Sequence, residues 1–303
     1  MTARMVWLPY PPERVGALPE GLDPRVWDGV GPPPDGLDAV RFYVPPYMFG
    51  ASVLEPMARM RSLEVVQTLT AGVDSVLPYL PEGVTLCNAR GVHDASTAEL
   101  AVGLVLASLR GIPEFVRAQD LGHWAHAERP ALADRTVLLL GYGSIGAAVE
   151  RRLSGFEVEV LRVASRARDG VHDPRALPDL LPRADVVVVL VPLTDQTRAM
   201  VDAGFLARMR DGALLVNVAR GGVVVTDALL AELESGRLSA ALDVTDPEPL
   251  PPDHPLWRAP GLLVSPHVGG NSTAFLPRAF ALLRAQLARW VSGEPLANVV
   301  ALR

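Results

Sequence analysis

The sequence predicts an α/β protein: a doubly wound parallel sheet accompanied by a second, smaller α/β domain. Three observations carry this. The stretch TVLLLGYGSIG, Thr136 to Gly146, is a short apolar run that ends in Gly141-x-Gly143-x-x-Gly146 and leads into a helix-like segment from Ala147 to Arg151. Strand-like and helix-like segments alternate regularly after it, the pattern of parallel βαβ units. The run Asp185-Val-Val-Val-Val-Leu190 is what a central strand buried on both faces requires.

The glycine stretch has the context that gives its fingerprint meaning, a strand before and a helix after. The first glycine allows the tight turn, the second lets the backbone approach a pyrophosphate, and the third lets helix pack on strand. The helix N-terminus then offers free N–H groups and partial positive charge to phosphate. A dinucleotide site is therefore expected at Gly141, Gly143, Ser144, Ile145 and Gly146.

Taken in order, the first hundred residues read as a small α/β domain. Strands are predicted at 5–8, 39–44, 63–69 and 84–88, with a helix at 54–60. A long apolar helix follows to about Arg110, capped by Ser96 or Thr97; a helix this apolar is expected to be buried between domains or subunits. Beyond it, strands are predicted at 136–140, 157–163, 185–190, 213–217, 239–243 and 262–265. Helices lie near 145–153, 175–184, 203–210 and 226–235. Phe275 to Val291 is a final amphipathic helix with no further strand after it, so it is expected to return to the first domain. The predicted division is 1–96 with 271–303 for one domain and 97–270 for the other.

Composition narrows the function classes. The net charge of −6 shows no broad basic bias toward nucleic acid or anionic lipid. All 28 basic residues other than histidine are arginine. No apolar run reaches 18 residues and no signal-peptide pattern opens the chain, so a cytoplasmic protein with no membrane segment is expected. The single cysteine, Cys87, excludes an internal disulfide and reads as a small buried strand residue. The six histidines give no convincing metal set, so no metal is predicted. His93 reads as a loop histidine or as one near the substrate; His123, His126, His172 and His254 read as surface residues.

In an open parallel sheet, ligands bind outside the carboxyl ends of the strands. Those ends carry the glycine loop, then Val191-Pro192-Leu193-Thr194, then Asn217 to Gly222, then Asp243 and Glu248, then Ser265 to Gly270. Arg220 alone is compatible with a surface ion pair, Glu248 with a solvated carboxylate and His267 with a structural role. Together, at successive strand ends beside a dinucleotide loop, they suit hydride transfer to a 2-oxo acid. Arginine offers a planar fork for carboxylate and carbonyl oxygens. Histidine supplies the proton that the developing alkoxide needs. A carboxylate beside it orients the ring and stabilises its protonated form.

The chain resembles the D-isomer-specific 2-hydroxyacid dehydrogenase family, which includes glyoxylate, hydroxypyruvate and phosphoglycerate dehydrogenases. The resemblance runs over nearly all 303 residues. It rests on Ala71-Gly72-Val73-Asp74, GYGSIG at 141–146, VPLTDQT at 191–197, LLVNVARGG at 214–222, AALDVTDPEPLPPDHPLW at 240–257 and SPHVGG at 265–270. It implies a Rossmann cofactor domain and a smaller, flavodoxin-like substrate domain built from both chain ends. It also implies that Arg220 binds substrate, that His267 is the acid/base with Glu248 as its partner, and that the backbone of Ala71, Gly72 and Val73 holds the substrate carboxylate. Asp243 would contact the nicotinamide amide, Val218 and Ala219 would line the nicotinamide site, and Pro192, Thr197 and Gly269 would complete the cofactor contacts. A homodimer with the helix near 97–110 at its interface is implied too. Formate dehydrogenases of this family carry glutamine facing the histidine, so Glu248 argues against formate.

NAD-binding members place an acidic residue at the end of the second strand, for the ribose hydroxyls. Here that position, near Arg162, has none, and Arg162, Ser165 and Arg166 fit a 2′-phosphate pocket. NADP is predicted in preference to NAD. The expected substrate is a small 2-oxo acid such as glyoxylate or hydroxypyruvate, its side chain selected by loops around Tyr47, Met48, Thr70 and Trp257. Two alternatives stand beside this reading. One is a phosphoglycerate-type dehydrogenase, often with a regulatory domain for which this chain is too short. The other is a nucleotide-sensing corepressor-like scaffold that binds cofactor without turnover.

Overall fold

The computed structural model describes residues 3–301. In chain order the elements are β1 (Arg4–Leu8), α1 (Pro12–Val15), β2 (Leu22–Val26), β3 (Phe42–Tyr43), β4 (Val65–Gln67), β5 (Thr85–Cys87), α2 (Asp94–Leu109) and α3 (Ile112–Asp120). They continue as β6 (Thr136–Leu140), α4 (Ser144–Leu153), β7 (Glu159–Val163), α5 (Leu177–Leu180), β8 (Val186–Val189), α6 (Ala203–Arg208), β9 (Leu214–Asn217), α7 (Thr226–Glu234), β10 (Ser239–Leu242), β11 (Leu262–Val264) and α8 (Phe275–Ser292). The chain forms two compact units. One runs to His93 and resumes at Thr273; the other is Asp94–Ser272.

In the first unit five parallel strands lie in the order β2-β1-β3-β4-β5, the flavodoxin-like arrangement. Side chains alternate between its two faces. Val6, Leu8, Phe42, Val65 and Cys87 pack on one, where Phe275, Ala279, Leu283 and Leu287 of α8 join them. Trp7, Tyr43, Val66 and Leu86 pack on the other. The i, i+4, i+8, i+12 spacing of those α8 residues gives one apolar stripe, which is why the last helix belongs to this sheet.

In the second unit six parallel strands run β11-β10-β9-β8-β6-β7. Beyond β7, His172 forms a single parallel bridge to Val163. Counting that bridge as a rudimentary third strand gives the 3-2-1-4-5-6 order of a Rossmann sheet, extended by one strand. The order reverses at β6 and β8, which puts the glycine loop at the switch point. Both faces are covered. Leu138, Leu140, Val187, Val189 and Leu215 face one apolar cluster, and Val137, Leu139, Val186, Val188, Leu214 and Val216 face the other. The four valines of β8 are at most 1% exposed, and each fully buried valine contributes about 1.5–3 kcal/mol.

Several elements differ from the sequence expectation. β2, LDPRV, was not foreseen, because Pro24 argues against a strand; it is tolerated because β2 pairs only with β1 and lies at the sheet edge. The helix expected at 54–60 is a 3₁₀ turn at Glu55–Arg59. The helix expected at 175–184 reduces to α5 between two 3₁₀ turns, since Pro174, Pro178 and Pro182 each remove a backbone donor. The long helix starts at Asp94, so Ser96 and Thr97 do not cap it. Instead Ser96 Oγ bonds Ser272 Oγ at 2.6 Å, and Thr97 Oγ1 donates to the Gly269 carbonyl at 3.2 Å. Gly111, with φ of +64°, ends that run and opens α3, another helix the sequence did not announce. Within its own unit α2 is a core helix: Ala98, Ala101, Val102, Leu104 and Val105 pack against β6, β8 and β9. Among the described residues no single helix is long and apolar enough to cross a bilayer.

Candidate active site

The three glycines of the fingerprint meet three different physical demands. Gly141 has φ of +110°, and a Cβ there would lie 2.6 Å from Leu190 C and Val191 N, so the turn into β8's neighbourhood admits no side chain. A Cβ on Gly143 would meet nothing within 4 Å; its face is open, as approach of a pyrophosphate demands. A Cβ on Gly146 would lie 3.1 Å from the Gly141 carbonyl, the close contact of helix on loop. The N-terminus of α4 follows directly, with Ser144 Oγ donating to Asp94 Oδ1 at 3.1 Å and Ile145 packed on the core beneath. This cradle fits a dinucleotide.

Along the same sheet edge, the β8 loop is closed by Thr197, whose hydroxyl donates to the Pro192 carbonyl at 2.5 Å and accepts from Thr194 N at 2.8 Å. After β9, Asn217 is fully buried. Its amide donates to the Arg220 carbonyl at 3.0 Å and its oxygen accepts Ala219 N at 3.0 Å, which shapes the Val218–Ala219–Arg220 turn. Gly221 completes the turn because a Cβ there would lie 1.8 Å from the Thr245 carbonyl oxygen. The β9 and β10 loops are thus pressed together, and Arg220 is delivered beside the loop that carries Glu248. Asn217 and Gly221 both lie inside the LLVNVARGG motif, but their roles show only once the two loops are packed together.

After β10 and β11, Asp243 organises the rest. It is 2% exposed. Its Oδ1 accepts Ser265 Oγ at 2.6 Å and Val268 N at 2.9 Å, and its Oδ2 accepts Gly269 N at 2.8 Å. Its carbonyl accepts His267 N at 2.7 Å. His267 itself has φ of +51°, a strained conformation for a side chain of this size that persists only where the surroundings impose it. Its Nδ1 bonds Glu248 Oε1. A carboxylate accepts, so Nδ1 carries the hydrogen and Nε2 is left for other chemistry. Arg220, Glu248 and His267 therefore stand in the loops that follow three neighbouring strands, with Glu248 and His267 in direct contact. Asp243, expected at the nicotinamide amide, spends both its oxygens on the loop that carries His267.

At the end of β7, the three residues expected to read the 2′-phosphate have different surroundings. Arg162 is paired with Glu150 through Nε at 3.0 Å and through a second, shorter bond. Glu150 also accepts from the Tyr142 hydroxyl. Arg162's hydrogen bonds hold the Glu150 carboxyl below the usual carboxylate range, and the bond to Glu150 raises the Tyr142 hydroxyl. A phosphate would meet Arg162 only in competition with Glu150. Ser165 and Arg166 are exposed and, with Arg168, form no ion pair among the described residues. Arg168 donates to the Tyr142 carbonyl at 2.7 Å and lies 5.6 Å from the centre of the Tyr142 ring. Arg168, two residues beyond Arg166, carries no motif signal of its own in the sequence.

In the first unit, Ala71, Gly72 and Val73 are half-buried in the loop after β4, at the carboxyl edge of that sheet. Met48 is 52% exposed with φ of +62°. His93, read from sequence as a loop histidine or as one near the substrate, is buried against the rings of Tyr47 and Phe275. Trp257, in the second unit, is half exposed and donates to the Pro251 carbonyl at 2.8 Å.

A family model described as D-isomer specific 2-hydroxyacid dehydrogenase, NAD binding domain, matches residues 102–269. The chain belongs to the D-isomer-specific 2-hydroxyacid dehydrogenases. It is 34% identical over 257 residues to a glyoxylate reductase of Thermofilum pendens, covering 79% of this chain and 75% of that one. It is 30% identical to a D-3-phosphoglycerate dehydrogenase of Archaeoglobus fulgidus, covering 82% of this chain but 49% of that one. Among solved structures, it is similar to the NADPH-dependent glyoxylate/hydroxypyruvate reductase of Sinorhizobium meliloti in complex with NADP and sulfate, with a TM-score of 0.83, 30% identity, and coverage of 99% and 98%. This dehydrogenase is accordingly an oxidoreductase that uses NAD(P) with a 2-hydroxy or 2-oxo acid.

Proposed function

We propose that the enzyme reduces a small 2-oxo acid of the glyoxylate or hydroxypyruvate kind, with NADPH as preferred cofactor and His267 as proton donor. The observation that carries this is the Glu248–His267 hydrogen bond one strand from Arg220, at the edge that holds the glycine cradle. The bound dinucleotide supplies the hydride. Arg220 polarises the carbonyl, and the amides around Ala71, Gly72 and Val73 receive the carboxylate. As hydride arrives at carbon, charge develops on oxygen, and His267 Nε2 donates a proton to it. Glu248 holds the ring through Nδ1 and balances the imidazolium charge. The products are a 2-hydroxy acid and the oxidised dinucleotide.

The NADP preference is supported by a sequence with no Asp or Glu from Arg162 to Arg168 and by the exposed Ser165, Arg166 and Arg168. A guanidinium with no carboxylate partner is available to a phosphate, so Arg166 and Arg168 carry the preference more than Arg162. A homodimer is supported by apolar surface outside the core: Ile112, Val116, Leu121 and Trp124 are 48%, 52%, 83% and 91% exposed on and after α3, an unusual concentration for a surface facing water. The buried thiol of Cys87 fits a reducing compartment such as the cytoplasm.

The test is turnover of a 2-oxo acid panel with NADPH and NADH, beside His267→Ala and Arg220→Ala. His267→Ala should lower kcat by about 10²–10⁴ with NADPH binding retained, and Arg220→Ala should damage both KM and kcat. Near-normal turnover in both variants would overturn the residue roles. Dinucleotide binding without turnover would favour the scaffold reading.

A further inference from the structure

The loop after β4 has a lopsided hydrogen-bond inventory. Its carbonyls are all taken. Leu69 O bonds His93 Nε2 at 2.7 Å. Thr70 O accepts Thr68 Oγ1 and Ala89 N, both at 2.9 Å. Ala71 O accepts Asn88 Nδ2 at 2.9 Å, and Gly72 O accepts Thr70 Oγ1 at 2.7 Å. By contrast, none of the N–H groups of Thr70, Ala71, Gly72 and Val73 donates a hydrogen bond among the described residues. Half-buried backbone groups rarely go unpaired. Four successive donors left unspent above four saturated acceptors make a surface that is positive in sign without a cation, the chemistry of an anion nest.

We propose that Thr68, Thr70, Asn88 and His93 are positioning residues whose side chains hold the carbonyls of Leu69–Gly72 so that the amides of the loop stay free for the substrate carboxylate. The inference rests on the 2-oxo acid reading above. Asn88 and His93 are themselves secured, the Asn88 side chain by Arg90 N, which donates to its Oδ1 at 3.1 Å. Asn88 O accepts Gln67 Nε2 at 3.1 Å, and Gln67 Oε1 accepts Gln286 Nε2 of α8 at 2.7 Å. The His93 ring packs against Tyr47 at 5.7 Å and Phe275 at 5.0 Å, two rings that also touch each other at 4.6 Å. Because a carbonyl accepts, Nε2 of His93 carries the hydrogen. None of these four side chains touches the carboxylate. They act by removing the conformations in which the peptide planes flip and present oxygens to it, where like charge would repel. The cradle is therefore wired to the sheet and the C-terminal helix, not left to a mobile loop.

The test compares Asn88→Ala, Asn88→Asp, Thr70→Val and Thr70→Ser. Readouts are KM and kcat for glyoxylate, the inhibition constant of oxalate, the Kd of NADPH, and Tm. Asn88→Ala and Thr70→Val should raise KM and the oxalate constant together by about 3- to 10-fold, the worth of one hydrogen bond, with NADPH Kd unchanged. Thr70→Ser keeps the donor and should restore both constants. Asn88→Asp replaces a donor by an acceptor and adds negative charge, so it should exceed Asn88→Ala. A purely structural role would lower Tm and active fraction with KM and the oxalate constant unmoved, and that result overturns the proposal. Should Asn88→Ala fail to fold, the Thr70 pair decides by itself. Should the wild type turn over no 2-oxo acid, the functional reading fails separately. Titration of oxalate onto the NADP-bound protein then judges the cradle: weaker binding in Thr70→Val supports it, and equal binding overturns it.

Discussion

Asp243→Asn is the most informative single substitution, because it changes almost no volume. The carboxylate accepts three hydrogen bonds from the loop 265–269, two on one oxygen and one on the other. An asparagine has one oxygen. Placed to serve Ser265 and Val268, it turns its amide toward the N–H of Gly269, donor against donor. Placed to serve Gly269, it loses both other partners. The smaller loss is one charge-assisted bond and one stranded buried donor, about 1.5–3 kcal/mol. For a unit of this size that lowers Tm by roughly 3–12 °C. Catalysis should suffer as well. The loop holds His267 at a φ of +51°; released, it relaxes, and misplacing a proton donor by about 1 Å costs on the order of 10²-fold. Differential scanning fluorimetry, kcat on glyoxylate and an NADPH titration measure these effects, with kcat expected to fall by about 10- to 100-fold. A Tm within about 1 °C of wild type together with kcat within about twofold would refute the argument, since the lost bond must register in one of them.

Other outcomes are expected from the same geometry. Gly221→Ala places a Cβ 1.8 Å from the Thr245 carbonyl oxygen; it should cost about 3 kcal/mol, the upper end for overpacking, and raise KM through displacement of Arg220, both read by thermal unfolding and kinetics. Arg166→Glu should invert cofactor preference, lowering kcat/KM with NADPH by about 10-fold or more while NADH is little affected; equal loss with both cofactors would exclude a 2′-phosphate role. Burial pushes the Cys87 thiol from 9.0 to about 11. Between those values the unfolded chain loses the proton and the folded chain keeps it, so this group's contribution is present below pH 9 and is lost as pH rises toward 11. Tm should therefore fall more steeply over that range in the wild type than in Cys87→Ala, and iodoacetamide at pH 8 should label only denatured protein.

Much of the site was legible because its signals are local. GYGSIG, RGG and SPHVGG each announce a backbone requirement within a few residues, and alternation of apolar segments announces a parallel sheet. The departures are equally physical. Proline at 174, 178 and 182 broke a helix that apolar spacing favoured, and an edge position rescued a strand that Pro24 disfavoured. Arg162 was read as a phosphate ligand because charge type is visible in sequence, whereas its partner Glu150, twelve residues away, is not.

By itself, then, the sequence determined the fold class, the dinucleotide loop and the trio Arg220, Glu248 and His267 as candidates, since glycine geometry, strand periodicity and side-chain chemistry are properties of short segments. The tertiary structure alone decided which groups are already spent. Asp243 holds the His267 loop across 26 residues, Asn88 holds the Ala71 carbonyl across 17, and Glu150 neutralises Arg162. Such pairings depend on how strands and helices stack. A hydrogen bond is satisfied by whichever partner packing brings within about 3 Å, and no local pattern encodes which that will be.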